Sequence, residues 1–322
     1  VSGVITSKIF RKMVKFQLVA FLAAMLIGMS LAFVTKPAGM VSRSAPAGPL
    51  MALDATLCEK YPRDFATIPF GTDYGEGQDE VLNKEIENTK LDFLTAQLTE
   101  TLKKAVEMKK RPIFTTAEIA GDCVLLDAIH KAGLIDKVEI IFIDTYHLFP
   151  ESIAFLKEIE EHYGFKAKVY HAEDCETQEI YYEKYGEDYW MEDIDAYDMK
   201  CKVEPLQRAL REHDSDCWIN GRRRDHGAER AALPVWEGTK LNPLAFWTFE
   251  DCWSYLRKYD VPYHPLHDVG FSSMGDVQST RKVDHKVWFT YGGERSGRFE
   301  GLKNKDGSAK TECGLHTEIK GK

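Results

Sequence analysis

Val138-Glu139-Ile140-Ile141-Phe142-Ile143-Asp144 is the stretch whose reading decides the fold. Its apolar residues run consecutively rather than alternating with polar ones, the pattern of a strand covered on both faces. A helical stretch follows from Pro150 to Tyr163, with Gly164 at its C′ position, and then a second extended run, Lys166 to His171. On the N-terminal side lie a short strand, Pro112 to Thr115, and a helix, Ala120 to Ala132, closed by Gly133. Strand–helix–strand at this spacing predicts an α/β fold with a doubly wound, mostly parallel sheet. On the C-terminal side the pattern predicts a helix over Glu204 to Arg211, a strand over Cys217 to Asn220 ending at Gly221, and a shorter strand over Leu233 to Trp236. A helix from Thr248 to Tyr259 follows, with Thr248 as N-cap and Asp251 in its first turn. Upstream, an irregular stretch leads into an amphipathic helix around Leu82 to Met108. Beyond Pro262 periodicity fades into Gly, Ser and charged residues, and the stretch to the end reads as a mobile C-terminal tail or lid.

The 322 residues allow one large domain or two small ones, and composition is ordinary for a soluble globular chain. A formal net charge of -9 argues against non-specific affinity for nucleic acid or an anionic membrane. The charge is uneven. Glu173 to Asp198 is dense in acids, Tyr and Trp, whereas Arg222, Arg223, Arg224, Arg230, Arg295 and Arg298 form two basic groups. Such clusters in an acidic chain suit a small anion, because the planar guanidinium grips phosphate or sulfate with two parallel hydrogen bonds. The seven cysteines include no Cys-x-x-Cys and no adjacent pair, which fits neither a secreted disulfide framework nor a local metal clip. Cys123 and Cys252 fall in apolar helical patterns and read as core.

The front end reads as an address. Met13 is the first initiator candidate, followed by Lys15, an apolar stretch from Leu18 to Met29, and Ser30-Leu31-Ala32, a small-residue pattern for cleavage after Ala32. Phe33 to Met51 is rich in Ser, Ala, Pro and Gly, carries Lys36 and Arg43, and has no acid, which is transit-peptide composition. A signal peptide followed by a transit peptide opening on Phe resembles the two-part plastid presequence of diatoms and related algae. The expectation is a plastid stromal protein whose mature part starts near Met51 and is not held in a membrane.

In an open α/β sheet, ligands bind outside the carboxyl ends of the strands. The first strand runs into Thr115-Thr116-Ala117 and a helix, offering hydroxyls and helix N–H groups to an anion. The second ends at Asp144-Thr145-Tyr146-His147, and a third exit reads Asn220-Gly221-Arg222-Arg223-Arg224 with Arg230 beyond. At the far end, Glu312-Cys313-Gly314-Leu315-His316 stands near Arg295, Arg298, Lys303, Lys305 and Lys310. A thiol among cations is favoured as thiolate, the nucleophilic form.

Together with Lys202-Val203-Glu204-Pro205-Leu206, Ile143-Asp144-Thr145, Leu148-Phe149-Pro150-Glu151, Gly221-Arg222-Arg223 and Tyr263-His264-Pro265-Leu266, that terminal motif resembles the assimilatory sulfonucleotide reductases. The resemblance spans roughly Lys90 to His316. It implies an adenine nucleotide alpha hydrolase-like fold and reduction of 3′-phosphoadenosine or adenosine 5′-phosphosulfate to sulfite through an S-sulfocysteine on Cys313. Thioredoxin, glutaredoxin or a similar dithiol would be the reductant, and relatives are often homodimers. The implied catalytic set is Cys313, Lys202 and His316, with His316 positioning the tail. Lys202, Arg295 and Arg298 would hold sulfate and phosphate; Arg222, Arg223, Arg230, Thr115, Thr116 and Asp144 complete the substrate set.

Three departures qualify the resemblance. Tyr197-Asp198 and Asp276…Ser279 stand where cluster-bearing members place cysteines, so no iron–sulfur cluster and no metal is expected. The phosphate loop, usually Ser-Phe-Ser-Gly-Ala-Glu-Asp-like, reads Thr116-Ala117-Glu118-Ile119-Ala120-Gly121-Asp122, which puts an acid where an anion should dock. No thioredoxin-like stretch of the kind fused in plant members is read in these residues, so a separate reductant is expected. The expected organisation is a presequence (1–50), a helical extension (51–110), a sulfonucleotide-binding α/β domain (111–275) and a catalytic tail (276–322). Fold alone leaves two other readings open: an ATP pyrophosphatase-type adenylyl transferase, such as a sulfate adenylyltransferase subunit, and a non-catalytic nucleotide binder. Nucleotide choice stays open, the plastid setting leaning towards the unphosphorylated substrate.

Overall fold

The computed structural model describes residues 80–316, so the expected presequence and the first part of the helical extension lie outside the described residues. The long helix expected there is α1, Glu80–Met108, whose buried Leu91, Leu94, Leu98, Leu102 and Ala105 lie on one face. Then come β1 (Pro112–Thr116), α2 (Ala120–Lys131), β2 (Glu139–Ile143), α3 (Pro150–Tyr163) and β3 (Lys168–Tyr170). Gly164 ends α3 at φ 71°, a left-handed turn that glycine adopts without strain. After α4 (Gln178–Tyr185) and two short helical turns, a π-turn, Met199–Val203, leads into α5 (Glu204–Glu212) and β4 (Cys217–Ile219). The sheet is completed by β5 (Trp236–Glu237) and β6 (Lys240–Leu241), and α6 (Phe249–Tyr259) packs behind it.

The strand order is β3-β2-β1-β4-β6-β5, parallel except for the β5–β6 edge pair. Successive side chains alternate between faces. Phe114, Ile140, Phe142, Ile219 and Leu241 pack with α1, α2, α3 and α6, while Ile113, Ile141 and Trp218 pack with Leu206 and Ala209 of α5 on the other side. Helices cover both faces, so the sheet is doubly wound as the sequence implies.

One element differs. The strand expected at Leu233 to Trp236 lies at Trp236–Glu237 and turns back through Gly238 and Thr239 onto a second strand that pairs with β4. Strands of two residues carry no periodic signal. Gly238, at φ 62°, is the feature that permits so tight a hairpin. No helix among the described residues is long and apolar enough to cross a membrane.

The start of α6 carries a reciprocal cap: Asp251 N donates to Thr248 Oγ1 at 3.1 Å and Thr248 N donates to Asp251 Oδ2 at 2.9 Å. Thr248→Ala leaves one helix N–H without its acceptor, and urea unfolding is expected to show a loss of about 1 kcal/mol with no change in slope.

Candidate active site

β1, β2 and β4 all end at one edge of the sheet, and the winding direction reverses between β1 and β4. A cavity of about 190 Å³ opens there, lined by Thr115 and Thr116 after β1, Thr145 after β2, Asn220 and Gly221 after β4, and the tail residues Glu312, Cys313, Leu315 and His316. Five cationic side chains face it: Lys202, Arg222, Arg230, Arg295 and Arg298.

The loop after β1 answers the question posed by its acid. Glu118 sits at φ 61° and is almost wholly buried, and neither carboxyl oxygen has a hydrogen-bond partner. Burial first, then Asp122, Glu158 and Glu160, raise its pKa well above the ordinary carboxylate value, which favours the uncharged form. Thr116 Oγ1 accepts from Glu118 N at 3.0 Å, and Asp122 Oδ2 accepts from Ala117 N at 2.7 Å. Burial also pushes Asp122 up to about 7. The loop is therefore less hostile to an anion than its letters imply. Thr115 Oγ1 accepts from the indole N–H of Trp218 at 2.8 Å.

The arginine loop divides. Arg222 lines the cavity, its Nε shared between Asn220 Oδ1 and Asn242 Oδ1 at 3.1 Å each and its Nη2 2.6 Å from Glu237. Arg223, expected to bind phosphate, does not line the cavity: it is fully buried and paired with Glu294 and Asp225. Burial opposes its charge, but Glu294 holds it ionised. Glu294 also accepts from His226 at 2.9 Å, and burial together with Arg223 drives His226 down to about 3. This cluster fastens the arginine loop to the segment carrying Arg295 and Arg298.

Arg230 and Arg295 meet at one carboxylate. Arg230 donates from Nε and Nη2 to the two oxygens of Glu312, at 2.9 and 2.8 Å, and Arg295 Nη2 lies 3.2 Å from the same group. Burial and then Arg230 lower Arg295 to about 10. Arg298 donates to Met274 O and curls over Gly275, where an added Cβ would lie 2.1 Å from its Nη2. Lys202 Nζ stands 2.6 Å from both Asp198 Oδ1 and Asp276 Oδ2, and these two acids outweigh the effect of burial and keep it charged.

The tail is docked over this edge. Lys310 is buried between Asp198 Oδ2 at 2.8 Å and Asp195 Oδ1 at 3.1 Å. Gly314 turns the chain at φ 79°, and Leu315 packs against the cluster of Ile113, Ile141, Tyr170, Leu206, Ala209 and Trp218. His316 stacks on Trp218 with centroids 4.9 Å apart, and its carbonyl accepts from Lys240 at 2.6 Å. Burial and then Arg230 depress the His316 pKa well below the ordinary value, which leaves an uncharged ring that positions the tail. Cys313 is half-exposed, whereas Cys123, Cys175, Cys201, Cys217 and Cys252 are buried. Burial pushes Cys201 and Cys217 up to about 12.

Of the expected residues, the structure brings together Cys313, Lys202, His316, Thr115, Thr116, Arg222, Arg230, Arg295 and Arg298. It leaves out Arg223 and also Asp144, whose Oδ1 instead accepts from Tyr146 N at 2.8 Å and caps the turn after β2. Thr145 takes the cavity position and donates to Asp276 at 2.6 Å. The sequence reading missed Asp198, Asp276, Glu294 and Trp218 as supports of the site. Asp198 and Asp276 occupy the positions where cluster-bearing relatives were expected to place cysteines, a signal that was in view. Among the described residues no group of three or more His, Cys, Asp or Glu is placed to hold a metal ion.

Fold and site thus define an α/β protein with a half-exposed cysteine beside a cluster of cations at the switch point of a mostly parallel sheet. Residues 112–282 match the phosphoadenosine phosphosulfate reductase domain. A phosphoadenosine phosphosulfate reductase of Emericella nidulans is 35% identical over 284 residues, covering 82% of this chain and 89% of that protein. That of Saccharomyces cerevisiae is 38% identical over 216 residues, 63% and 77% of the two chains. The crystal structure of the Candida auris phosphoadenylyl-sulfate reductase, a phosphate complex, superposes with a TM-score of 0.52 at 33% identity, over 59% of this chain and 96% of that one. The chain belongs to the phosphoadenosine phosphosulfate reductase family.

Asp122 makes stability depend on pH. A carboxyl whose pKa rises on folding binds its proton more tightly folded than unfolded, so stability falls as pH climbs from 3.8 towards about 7. Asp122→Asn keeps an acceptor for Ala117 and removes this cost. Denaturant unfolding is expected to show the variant more stable at pH 8 by on the order of 1–2 kcal/mol and little changed at pH 4.

Proposed function

We propose that this protein reduces phosphoadenosine 5′-phosphosulfate to sulfite in sulfate assimilation, with Cys313 as nucleophile and a thioredoxin- or glutaredoxin-type dithiol as reductant. The observation that carries the reading is the half-exposed Cys313 in a cavity shared with Lys202, Arg230, Arg295 and Arg298. The Cys313 thiolate attacks the sulfate sulfur, an S–S bond forms, and the bond from that sulfur to the phosphate oxygen breaks. The electron pair leaves on the nucleotide, adenosine 3′,5′-bisphosphate. The cations offset repulsion between thiolate and sulfate and stabilise the charge that develops on phosphate. A thiolate of the reductant then attacks Cys313 Sγ, sulfite departs with the bonding pair, and the second thiol of the reductant closes its own disulfide and frees Cys313. Two electrons pass from dithiol to sulfur, and no metal is invoked.

The 3′-phosphorylated substrate is supported by the names of the relatives and by the five cations at the cavity. An additional phosphate has ready partners there. An ATP pyrophosphatase reading gives Cys313 no task, and a purely binding role leaves the docking of the tail unexplained.

Intact mass spectrometry after incubation with the phosphorylated substrate, without dithiol, is expected to show one added SO3 on Cys313 that a dithiol removes. Cys313→Ser should show no adduct and lose about 10³-fold or more in turnover, and kcat/KM should favour the phosphorylated nucleotide over its unphosphorylated analogue. An unlabelled wild-type enzyme would sink the reading.

We also propose that the working place is the plastid stroma, which the two-part character of Ser30-Leu31-Ala32 and Phe33 to Met51 supports. Met13 to Met51 fused to a fluorescent protein should carry it into the plastid of a diatom; a secreted or cytosolic signal contradicts this.

A further inference from the structure

We propose that Lys310 is a positioning residue that couples the seating of Cys313 to the anion affinity of Lys202, through the carboxylate of Asp198 that both lysines share. The proposal rests on the reading above, in which Cys313 meets an anionic group beside Lys202. Asp198 Oδ1 lies 2.6 Å from Lys202 Nζ and its Oδ2 lies 2.8 Å from Lys310 Nζ. All three residues are buried. Lys310 is three positions before Cys313, so the tail cannot dock without placing this ammonium.

The charges around the shared carboxylate explain the coupling. Asp276 Oδ2, 2.6 Å away, is the second acid on Lys202, and the Tyr197 ring lies 4.9 Å from its Nζ. Asp195, 3.1 Å from Lys310, is partly exposed, Asn304 Oδ1 lies 3.3 Å from Lys310, and Arg298 adds its charge from the other wall of the cavity. With the tail seated, Asp198 divides its two oxygens between Lys202 and Lys310, Asp276 stands on the other side of Lys202, and Asp195 on the other side of Lys310. With the tail lifted, Lys202 alone answers both Asp198 and Asp276, and the field at its Nζ becomes less positive, even though Glu312 leaves Arg230 and Arg295 with the same segment. A sulfate dianion beside Lys202 is then held less tightly. Anion affinity thus rises only when the thiol is in position, and by linkage a bound anion holds the tail down.

Inorganic sulfate is the probe. Calorimetric titration should show Lys310→Met binding sulfate about tenfold more weakly than wild type, within the usual range for coupled sites. Asp198→Asn, which removes an acid, should bind sulfate at least as tightly as wild type. Both variants loosen the tail, so both should speed alkylation of Cys313 by iodoacetamide. A merely structural clasp would weaken sulfate binding in both variants, and that result overturns the proposal, as does unchanged binding in Lys310→Met. Thermal melts confirm that each variant is folded. Should either variant fail to fold, the wild type decides: sulfate must slow amide hydrogen exchange across residues 311–316, and equal exchange with and without sulfate defeats the coupling. Absence of sulfate binding to the wild type does the same. An SO3 adduct on Cys313 without coupling sinks only this proposal, whereas coupling without an adduct sinks only the reaction above.

Discussion

Everything at the business edge of this molecule depends on keeping several positive charges out of water without losing them. A carboxylate at contact distance offsets the cost of burying a cation, and breaking such a pair leaves an uncompensated charge that is costly to fold around. The chain meets this demand by drawing partners from far apart. Arg223 takes Glu294, Arg230 and Arg295 take Glu312, Lys202 takes Asp276, Lys310 takes Asp195, and both lysines share Asp198. Each pair ties one irregular segment to another. The wall of the cavity is thus built by electrostatics where helices and strands give out.

The floor has a different origin. It comes from parallel strands whose carboxyl ends lie level, so that Thr115, Thr116, Thr145 and Asn220 present short polar groups between two dry layers. Hydrogen bonds are strong in such surroundings, and positions are fixed before any ligand arrives. Trp218 joins floor and wall, since its N–H binds Thr115 and its ring supports His316.

Most of the sheet was legible because buried strands and helices differ in length and period, and the runs around Val138 to Asp144 and Pro150 to Tyr163 are long enough to show it. The two-residue strands were not, since nothing so short has a period. At the site, the residue types of Cys313, Lys202, Arg230, Arg295 and Arg298 announced a task in anion chemistry. Orientation was harder. Arg222 and Arg223 are adjacent letters, yet one faces the cavity and the other the core, and Asp144 and Thr145 differ in the same way. Alternation at a strand exit assigns such neighbours to opposite sides, and which takes which side depends on partners as distant as Glu294. Glu118 was opaque for a related reason: its left-handed backbone and its near-complete burial, which favours the uncharged form, are set by the fold around it and not by its letter.

The tail is pinned by Lys310 on one side of Cys313 and by the His316–Trp218 stack on the other, three residues away in each direction. So short a span cannot swing while both ends hold. The two halves of the proposed chemistry want opposite things from the same sulfur: enclosure while the nucleotide departs, and presentation to a bulky protein afterwards. Swinging that sulfur out would also break the Glu312 pairs with Arg230 and Arg295 and the bond from Lys240 to the His316 carbonyl, so the span between the two pins is itself stitched to the cavity wall.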